Sequence, residues 1–163
     1  MTNQPEPPAT MNEPGHGRRL VSPGRFTADD GQFAIPAARL GLGYGFSGID
    51  KLTHIVGPTM AAEIMLTARR FGAEEAHHMG LVNRVVPDSD LEGEVDKLAR
   101  RLANGPAHAL ASIKRLVHGS LDNDVDRQLR MEAESFAACS MTADWAEGVT
   151  AFAEKRKPRF GEG

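Results

Sequence analysis

Residues 57–87 read GPTMAAEIMLTARRFGAEEAHHMGLVNRVVP, and their patterning changes from helical to strand-like along the stretch. Pro58 suits the first turn of a helix, and apolar residues recur after it at the three- and four-residue spacing of one helix face. The following AEEAHHMG has acidic residues near its start and Gly80 at its end, which predicts a second, short helix. LVNRVV, residues 81–86, is a β-rich hexamer that Pro87 ends, so it is the strongest predicted strand.

Just upstream, residues 41–48 read GLGYGFSG, and three of these glycines fit the pattern G-x-G-x-x-G. A dinucleotide-binding turn with this pattern needs a preceding strand, a following helix and a second strand that ends in an acidic residue. The preceding segment contains Pro36, which is poor in a buried parallel strand, and the next helical stretch is cut at Gly57-Pro58. The sequence therefore favours a glycine-rich bend with another role over a dinucleotide site.

After Pro87 the patterning is helical throughout, and capping residues divide it into four helices. The expected boundaries are Asp90, Gly105-Pro106, Asp122 or Asp124, and Thr142. The inner face of the first helix is expected to consist of Leu91, Val95, Leu98 and Leu102. The apolar residues along the other three helices are Leu110, Ile113, Val117, Leu129, Phe136, Trp145, Val149 and Phe152. The tail EKRKPRF, residues 154–160, is basic.

The first thirty residues contain five prolines and three glycines but few apolar side chains. Prolines remove backbone donors, so this composition predicts little helix or sheet and a flexible or loosely docked leader. RRLVS, residues 18–22, is a candidate for a short strand within it. The expected organisation is a leader at 1–30, a strand–helix region at 31–90 and a helical block at 91–163.

Composition excludes several classes of function. A net charge of -3 argues against a general nucleic-acid binder, and no apolar run approaches the ~20 residues that a membrane span needs. The single cysteine, Cys139, cannot form an internal disulfide, which favours a reducing compartment. It has no partner histidine in its local pattern, so a plain core or surface thiol is favoured over a nucleophile. His77 and His78 are adjacent and make a poor chelate, so no metal site is expected. A soluble cytoplasmic protein is the resulting expectation.

Four segments, taken in order, carry a family resemblance: FAIPAARLGLGYGFSG at 33–48, the stretch at 52–87 that begins LTHIVG, ASIKRL at 111–116 and AFAEKRKPRF at 151–160. Together they resemble the crotonase family, the enoyl-CoA hydratases and isomerases, from about Asp30 to Phe160. The resemblance implies an α/β fold, in which part of a spiral of ββα units is followed by a mostly helical trimerisation block. It also implies trimers or hexamers. The family domain is longer, so the chain resembles its C-terminal half.

The resemblance implies chemistry on an acyl-CoA thioester, which is a substrate, and no cofactor is expected. In the hydratases two backbone N–H groups from the N-terminal half stabilise the thioester oxygen, and two glutamates move the protons. The first glutamate would align near Gly17, inside the proline-rich leader. The second follows a proline in the family, but here Ala37 follows Pro36. No catalytic residue is therefore expected, and hydration of 2-enoyl-CoA is expected to be weak or absent.

The resemblance also implies where a CoA thioester would bind. Gly45 and Tyr44 would form the wall of the acyl-CoA pocket, because glycine lets main chain approach a ligand. Phe152 and Lys155 would reach the adenine and the phosphates of CoA on a neighbouring subunit. The alternatives are that the bend only needs positive φ, that Phe152 belongs to the core and that KRKPR is a solvated tail.

Other functions stay open at this point. The chain would be a non-catalytic assembly or CoA-binding subunit that pairs with a full-length relative, or a family member that uses other residues for a different reaction. A leader that replaces a lost N-terminal half is a further possibility. In each case the expected partners are an acyl-CoA and other protein subunits.

Overall fold

The computed structural model describes residues 24–161. Seven helices and four short strands follow one another in this part of the chain: β1 Phe26–Ala28, β2 Gln32–Phe33, α1 Phe46–Val56, α2 Pro58–Thr67, β3 Phe71–Gly72, α3 Ala73–His78, β4 Arg84–Val86, α4 Leu91–Ala103, α5 Ala107–Gly119, α6 Val125–Ser140 and α7 Ala143–Ala153. Two single turns of 3-10 helix lie at Ala37–Leu40 and Asp88–Asp90. The described chain is thus mostly helical, as the sequence predicts.

Two small sheets hold the strands. β1 pairs in parallel with β4, with Phe26 opposite Arg84, and β2 pairs antiparallel with β3, with Phe33 opposite Phe71. The strand β1 lies in the proline-rich segment, so the prediction of little regular structure there is wrong for these residues. Pairing with β4 supplies the hydrogen-bond partners that the local sequence cannot. The candidate strand RRLVS lies outside the described residues.

The predicted hexameric strand is shorter in the structure, because its first residues belong to a turn. The N–H groups of Leu81 and Val82 both donate to the carbonyl of Ala76, at 2.8 and 3.2 Å. Arg25 anchors this turn to β1: its Nε donates to the Leu81 carbonyl at 2.6 Å, and its N–H donates to Asn83 Oδ1 at 2.8 Å. Only residues 84–86 remain to form the ladder.

The hydrophobic core lies between α1, α2, α3 and the strands. Its buried members are Leu52, Ala61, Ile64, Phe71, Ala76 and Val82. Ile64 on α2 has no exposed surface, and Phe71 stacks on Phe33 with ring centroids 5.7 Å apart. Because α2 also packs on the 3-10 turn at Ala37–Leu40, the core fixes the segment that leads into the glycine bend.

Most of the predicted helix ends are confirmed. Pro58 occupies the first turn of α2, Asp124 Oδ1 accepts the Arg127 N–H at 2.7 Å, and Thr142 Oγ1 accepts the Trp145 N–H at 3.2 Å. Asp90 precedes α4 as expected, but its side chain caps no N–H of that helix. Instead its Oδ1 accepts the Ser89 hydroxyl at 3.1 Å, so the predicted capping bond is wrong.

Val95, which the sequence predicts on the inner face of α4, is 44% exposed, and the apolar rows of the last three helices are also largely exposed. The exposed members are Ile113, Val117, Leu129, Phe136, Trp145, Val149 and Phe152. The buried residues of α5, α6 and α7 are Ser112, Ser135 and Ala151. Among residues 24–161, no helix is both long enough and apolar enough to cross a bilayer.

Candidate functional site

The glycine bend begins at a 3-10 turn and ends at the first residues of α1. Gly41 closes the turn with φ 66°, a left-handed conformation that glycine adopts without steric cost. Its N–H donates to the Ala38 carbonyl at 3.2 Å, and the Leu42 N–H donates to the Ala37 carbonyl at 3.0 Å. Local backbone geometry therefore accounts for Gly41.

Gly48 has a different local reason, which is the ring of Tyr44. A Cβ at Gly48 would lie 2.3 Å from Tyr44 Cε1, so the tyrosine ring rests on the first turn of α1 only because Gly48 has no side chain. The half-buried Tyr44 is the only tyrosine in the sequence. The bend thus holds one aromatic ring against α1.

Gly43 and Gly45 have no such local reason. Among the described atoms, none lies within 4 Å of the position that a Cβ would take at either glycine. Gly45 has φ -69°, which any residue adopts, so the alternative that the bend only needs positive φ is wrong for this glycine. The surface at Gly45 is bare main chain next to the Tyr44 ring, and a ligand could approach it closely.

Ala37, where the family resemblance implies a glutamate, lies at the start of the 3-10 turn. Ala37 is half-buried, and its methyl group neither accepts nor donates a proton. The next carboxylate after the bend is Asp50 on α1, where it faces the ring of His54, one turn on, at 3.3 Å. Position 37 therefore provides no acid, and the described residues around it provide apolar surface and backbone.

The other candidate residues lie at the C-terminal end of α7. Phe152 is 87% exposed, so the alternative that it belongs to the core is wrong. The Arg156 N–H donates to the Ala151 carbonyl at 3.0 Å, and the Lys155 N–H donates to the Phe152 carbonyl at 3.2 Å. These two bonds form a Schellman-type helix end, in which Lys155 takes the left-handed position with φ 55°.

Beyond this helix end, the basic tail folds back along α7. Arg156 donates two bonds to Glu147, from Nη1 at 2.6 Å and from Nη2 at 2.9 Å, and the Arg159 N–H donates to the same carboxylate at 2.7 Å. These donors lower the pKa of Glu147 to about 2, chiefly through the Arg156 bonds. Asp144 Oδ1 accepts the Gly161 N–H at 3.1 Å. The tail is therefore held by α7 rather than simply solvated.

Sequence reasoning missed Glu147 and Asp144. The available signal was an acidic pair at i and i+3 on α7, followed by a tail rich in arginine and lysine. Charge complementarity favours contact between two such segments, but it does not say which cation binds which acid.

An apolar cleft of about 380 Å³ lies beside Phe152. Its lining includes Pro106, Cys139, Trp145, Val149 and Phe160. Trp145 also meets Phe136 edge-to-face, with ring centroids 5.9 Å apart.

Within one chain, the two groups of candidate residues belong to separate packing units. Gly45 and Tyr44 adjoin α1, which packs mainly on α2, whereas Phe152 and Lys155 end α7, which packs mainly on α6. No group of three or more potential metal ligands converges anywhere in residues 24–161.

Three comparisons relate this chain to known proteins. The family model described as Enoyl-CoA hydratase/isomerase matches residues 15–163. A crotonyl-CoA hydratase from Syntrophomonas wolfei is 39% identical over 136 residues, which is 83% of this chain and 52% of the relative. A carnitinyl-CoA dehydratase from Shigella flexneri is 36% identical over 80% of this chain and 52% of the relative.

A solved enoyl-CoA hydratase subunit I from Geobacillus kaustophilus has a similar fold, with a TM-score of 0.79 and 37% identity. The match covers 85% of this chain and 54% of that chain. The chain thus spans about half the length of the relatives that it matches. Sequence and fold agree that the chain belongs to the enoyl-CoA hydratase/isomerase family.

Proposed function

We propose that this chain binds the CoA thioester of an acyl group and forms part of the pocket of an enoyl-CoA hydratase/isomerase. Gly45 and Tyr44 provide the wall beside the acyl group. Phe152 and Lys155 contact the adenine and the phosphates of CoA that is bound to a neighbouring copy. The chain itself hydrates 2-enoyl-CoA weakly or not at all, because Ala37 offers no carboxylate. Family membership and the surfaces at the bend and at the end of α7 support this proposal.

The strongest support for this proposal is the backbone conformation of Lys155. Two non-glycine residues among 24–161 have positive φ, Ala68 and Lys155. The methyl group of Ala68 is buried, so packing accounts for a side chain there. The side chain of Lys155 is exposed at a position that favours glycine, at a cost of about 1 kcal/mol or more. A lysine at a position that disfavours its backbone conformation is consistent with a functional role for its side chain, such as binding phosphate.

Replacement of this lysine separates stability from binding. We expect Lys155→Gly to raise the free energy of unfolding by about 1 kcal/mol, because glycine relieves the left-handed strain. We expect the same variant to weaken CoA binding about tenfold, because a charge-assisted contact to phosphate is lost. Denaturant unfolding and titration calorimetry with coenzyme A measure the two effects.

The control is Lys157→Ala, which removes the same charge from an exposed residue of the same tail. It should leave CoA affinity within about twofold of the original, since a nearby non-contacting charge acts only through screened attraction. Equal losses of affinity in both variants would mean that the tail attracts CoA by net charge alone. Unchanged affinity in Lys155→Gly would remove Lys155 from the proposed site.

A second function, assembly without catalysis, is favoured by the exposed apolar rows of α5, α6 and α7. Phe136 is 67% exposed and Leu129 is 57% exposed, although both follow the spacing of a buried helix face. Several large exposed apolar side chains on neighbouring helices are typical of subunit interfaces. We propose homo-oligomers, trimers or hexamers, or a complex with a full-length relative.

Light scattering after size exclusion tests the assembly. We expect a mass of three or six chains, or a mixed complex when a full-length relative is added. Phe136→Glu should dissociate it, because a charge would enter the apolar contact. As a control for a change of charge on a helix, Glu92→Gln replaces an exposed acid on α4. A monodisperse monomer, alone and with the relative, would contradict the proposal.

A further inference from the structure

The C-terminal turn after α7 contains charged contacts that take no direct part in the proposed binding of CoA. We propose that Glu147 is a positioning residue. It binds Arg156 and Arg159, which follow Lys155 in the chain, and so sets the direction of the Lys155 side chain. The inference rests on the proposed CoA contact of Lys155 and adds a residue that acts through it. Glu147 itself does not touch the ligand.

The residues before and after Lys155 are both held by side-chain hydrogen bonds. Arg156, the next residue, gives both terminal guanidinium nitrogens to the two oxygens of Glu147. Its Nε donates to Glu154 Oε2 at 2.6 Å, and Glu154 is the residue before Lys155. The Arg156 guanidinium therefore binds both the residue before Lys155 and a carboxylate on α7.

This arrangement requires the chain to reverse direction at Lys155. Arg156 reaches back along α7 for nine residues to meet Glu147, and the Arg159 N–H reaches the same carboxylate across twelve residues. A left-handed residue at the end of the helix produces such a reversal. The bonds to Glu147 offset the backbone cost at a residue that is not glycine, and they hold the turn in one conformation.

The same bonds decide which cation of the tail is available to a ligand. Arg156 is surrounded by the carboxylates of Glu147 and Glu154, which raise its pKa above the usual value and neutralise its charge locally. Lys155 follows Glu154 directly in the sequence, and its side chain is exposed. Glu147 thus removes Arg156 from competition and leaves Lys155 to contact phosphate.

The bonds between Glu147 and Arg156 should persist over the whole physiological pH range. Glu147 titrates near pH 2 in the folded chain, below its ordinary value of 4.5. A carboxylate with a lowered pKa stabilises the fold fully above its unfolded pKa, and this stabilisation is lost as the pH falls through the folded value. The turn should therefore stay ordered above about pH 4.5 and loosen only as the pH falls towards about 2.

A double-mutant cycle tests the inference on the full chain. Coenzyme A affinity is measured by calorimetry for the original chain, Glu147→Gln, Lys155→Ala and the combined variant. We expect Glu147→Gln to weaken binding about three- to tenfold when Lys155 is present and to cause no further loss in the Lys155→Ala background. Glu147→Asp should restore part of the affinity, because it restores the charge. Glu92→Gln, an exposed acid on α4, should change nothing.

A second readout does not depend on CoA. Amide hydrogen exchange of Arg156 and Arg159 should become faster in Glu147→Gln, because the N–H bonds to Ala151 and Glu147 open more often. Exchange in the core around Ile64 should stay unchanged. Unchanged exchange at Arg156 and Arg159 would overturn the inference, whatever the affinities show.

The affinity results separate the two proposals. Equal losses on Glu147→Gln in both backgrounds would mean that Glu147 acts independently of Lys155, and only the positioning role would fall. Unchanged affinity in Lys155→Ala would overturn the CoA contact of Lys155 and the positioning role together.

Discussion

We expect Gly45→Ala to weaken acyl-CoA binding by about tenfold or more, because one methyl group would enter the space that the ligand fills. The substitution should barely change stability. Gly45 has φ -69° and open space around it, so alanine fits and restricts the unfolded chain. Gly45 also precedes the first residue of α1, where alanine is a poorer cap than glycine. These opposing effects should leave the free energy of unfolding within about 0.5 kcal/mol of the original.

Gly48→Ala is the matched control, three residues further along the same bend. Its Cβ would lie 2.3 Å from the Tyr44 ring, so the ring must move away from α1. Because Tyr44 is the only tyrosine, its ring resonances report this movement directly. We expect shifted Tyr44 signals in Gly48→Ala and unchanged signals in Gly45→Ala.

The comparison distinguishes a pocket wall from a structural bend. Loss of affinity in Gly45→Ala with an undisturbed Tyr44 places the ligand against the main chain. Unchanged affinity in Gly45→Ala would mean that no ligand approaches this glycine, and Gly45 would leave the proposed site. A large loss of stability in the same variant would show a local constraint that the described contacts do not contain.

Local sequence chemistry predicts most of the helix ends. A proline in a first turn, a side-chain oxygen that caps an N–H and a glycine with positive φ act within a few residues, as Pro58, Asp124, Thr142 and Gly80 do. Asp90 fails because its backbone ends the preceding 3-10 turn in a helical conformation, with φ -103° and ψ -10°, and not in the extended conformation of an N-cap. Such a backbone conformation is not visible in a capping pattern.

Long-range contacts explain what the sequence could not predict. The strand β1 exists because residues about 58 positions later supply its ladder and bind Arg25. After the turn that contains Lys155, Glu147 binds two later residues of the tail, across nine and twelve positions. Periodicity also predicts an apolar face on α6 without saying what covers it, and Phe136 is exposed in the single chain. The candidate site depends on such contacts, so resemblance identifies its residues better than spacing does.

The chain should hydrate crotonyl-CoA no faster than a matched blank. The family resemblance implies a glutamate at position 37 that transfers a proton at the reacting carbons, and the chain has Ala37 there. Loss of one positioned acid or base costs about 10²–10⁴ in rate. Absorbance of the conjugated thioester measures turnover, with a full-length crotonyl-CoA hydratase as the positive control. Calorimetry with coenzyme A on the same sample shows that the protein is folded and binds.

Ala37→Glu makes the same prediction sharper. The substitution restores one carboxylate after Pro36, in a turn that Gly41 closes and α2 supports. Hydration needs a base for the water and an acid for the α-carbon, so one glutamate should leave the rate at the level of the blank. A clear rise in Ala37→Glu would mean that the chain already contains the second proton-transfer group and the oxyanion donors. Turnover by the unsubstituted chain would mean that another residue replaces Ala37 in the reaction. Either result would make this chain an enzyme in its own right, and the proposed division between binding and proton transfer would be wrong.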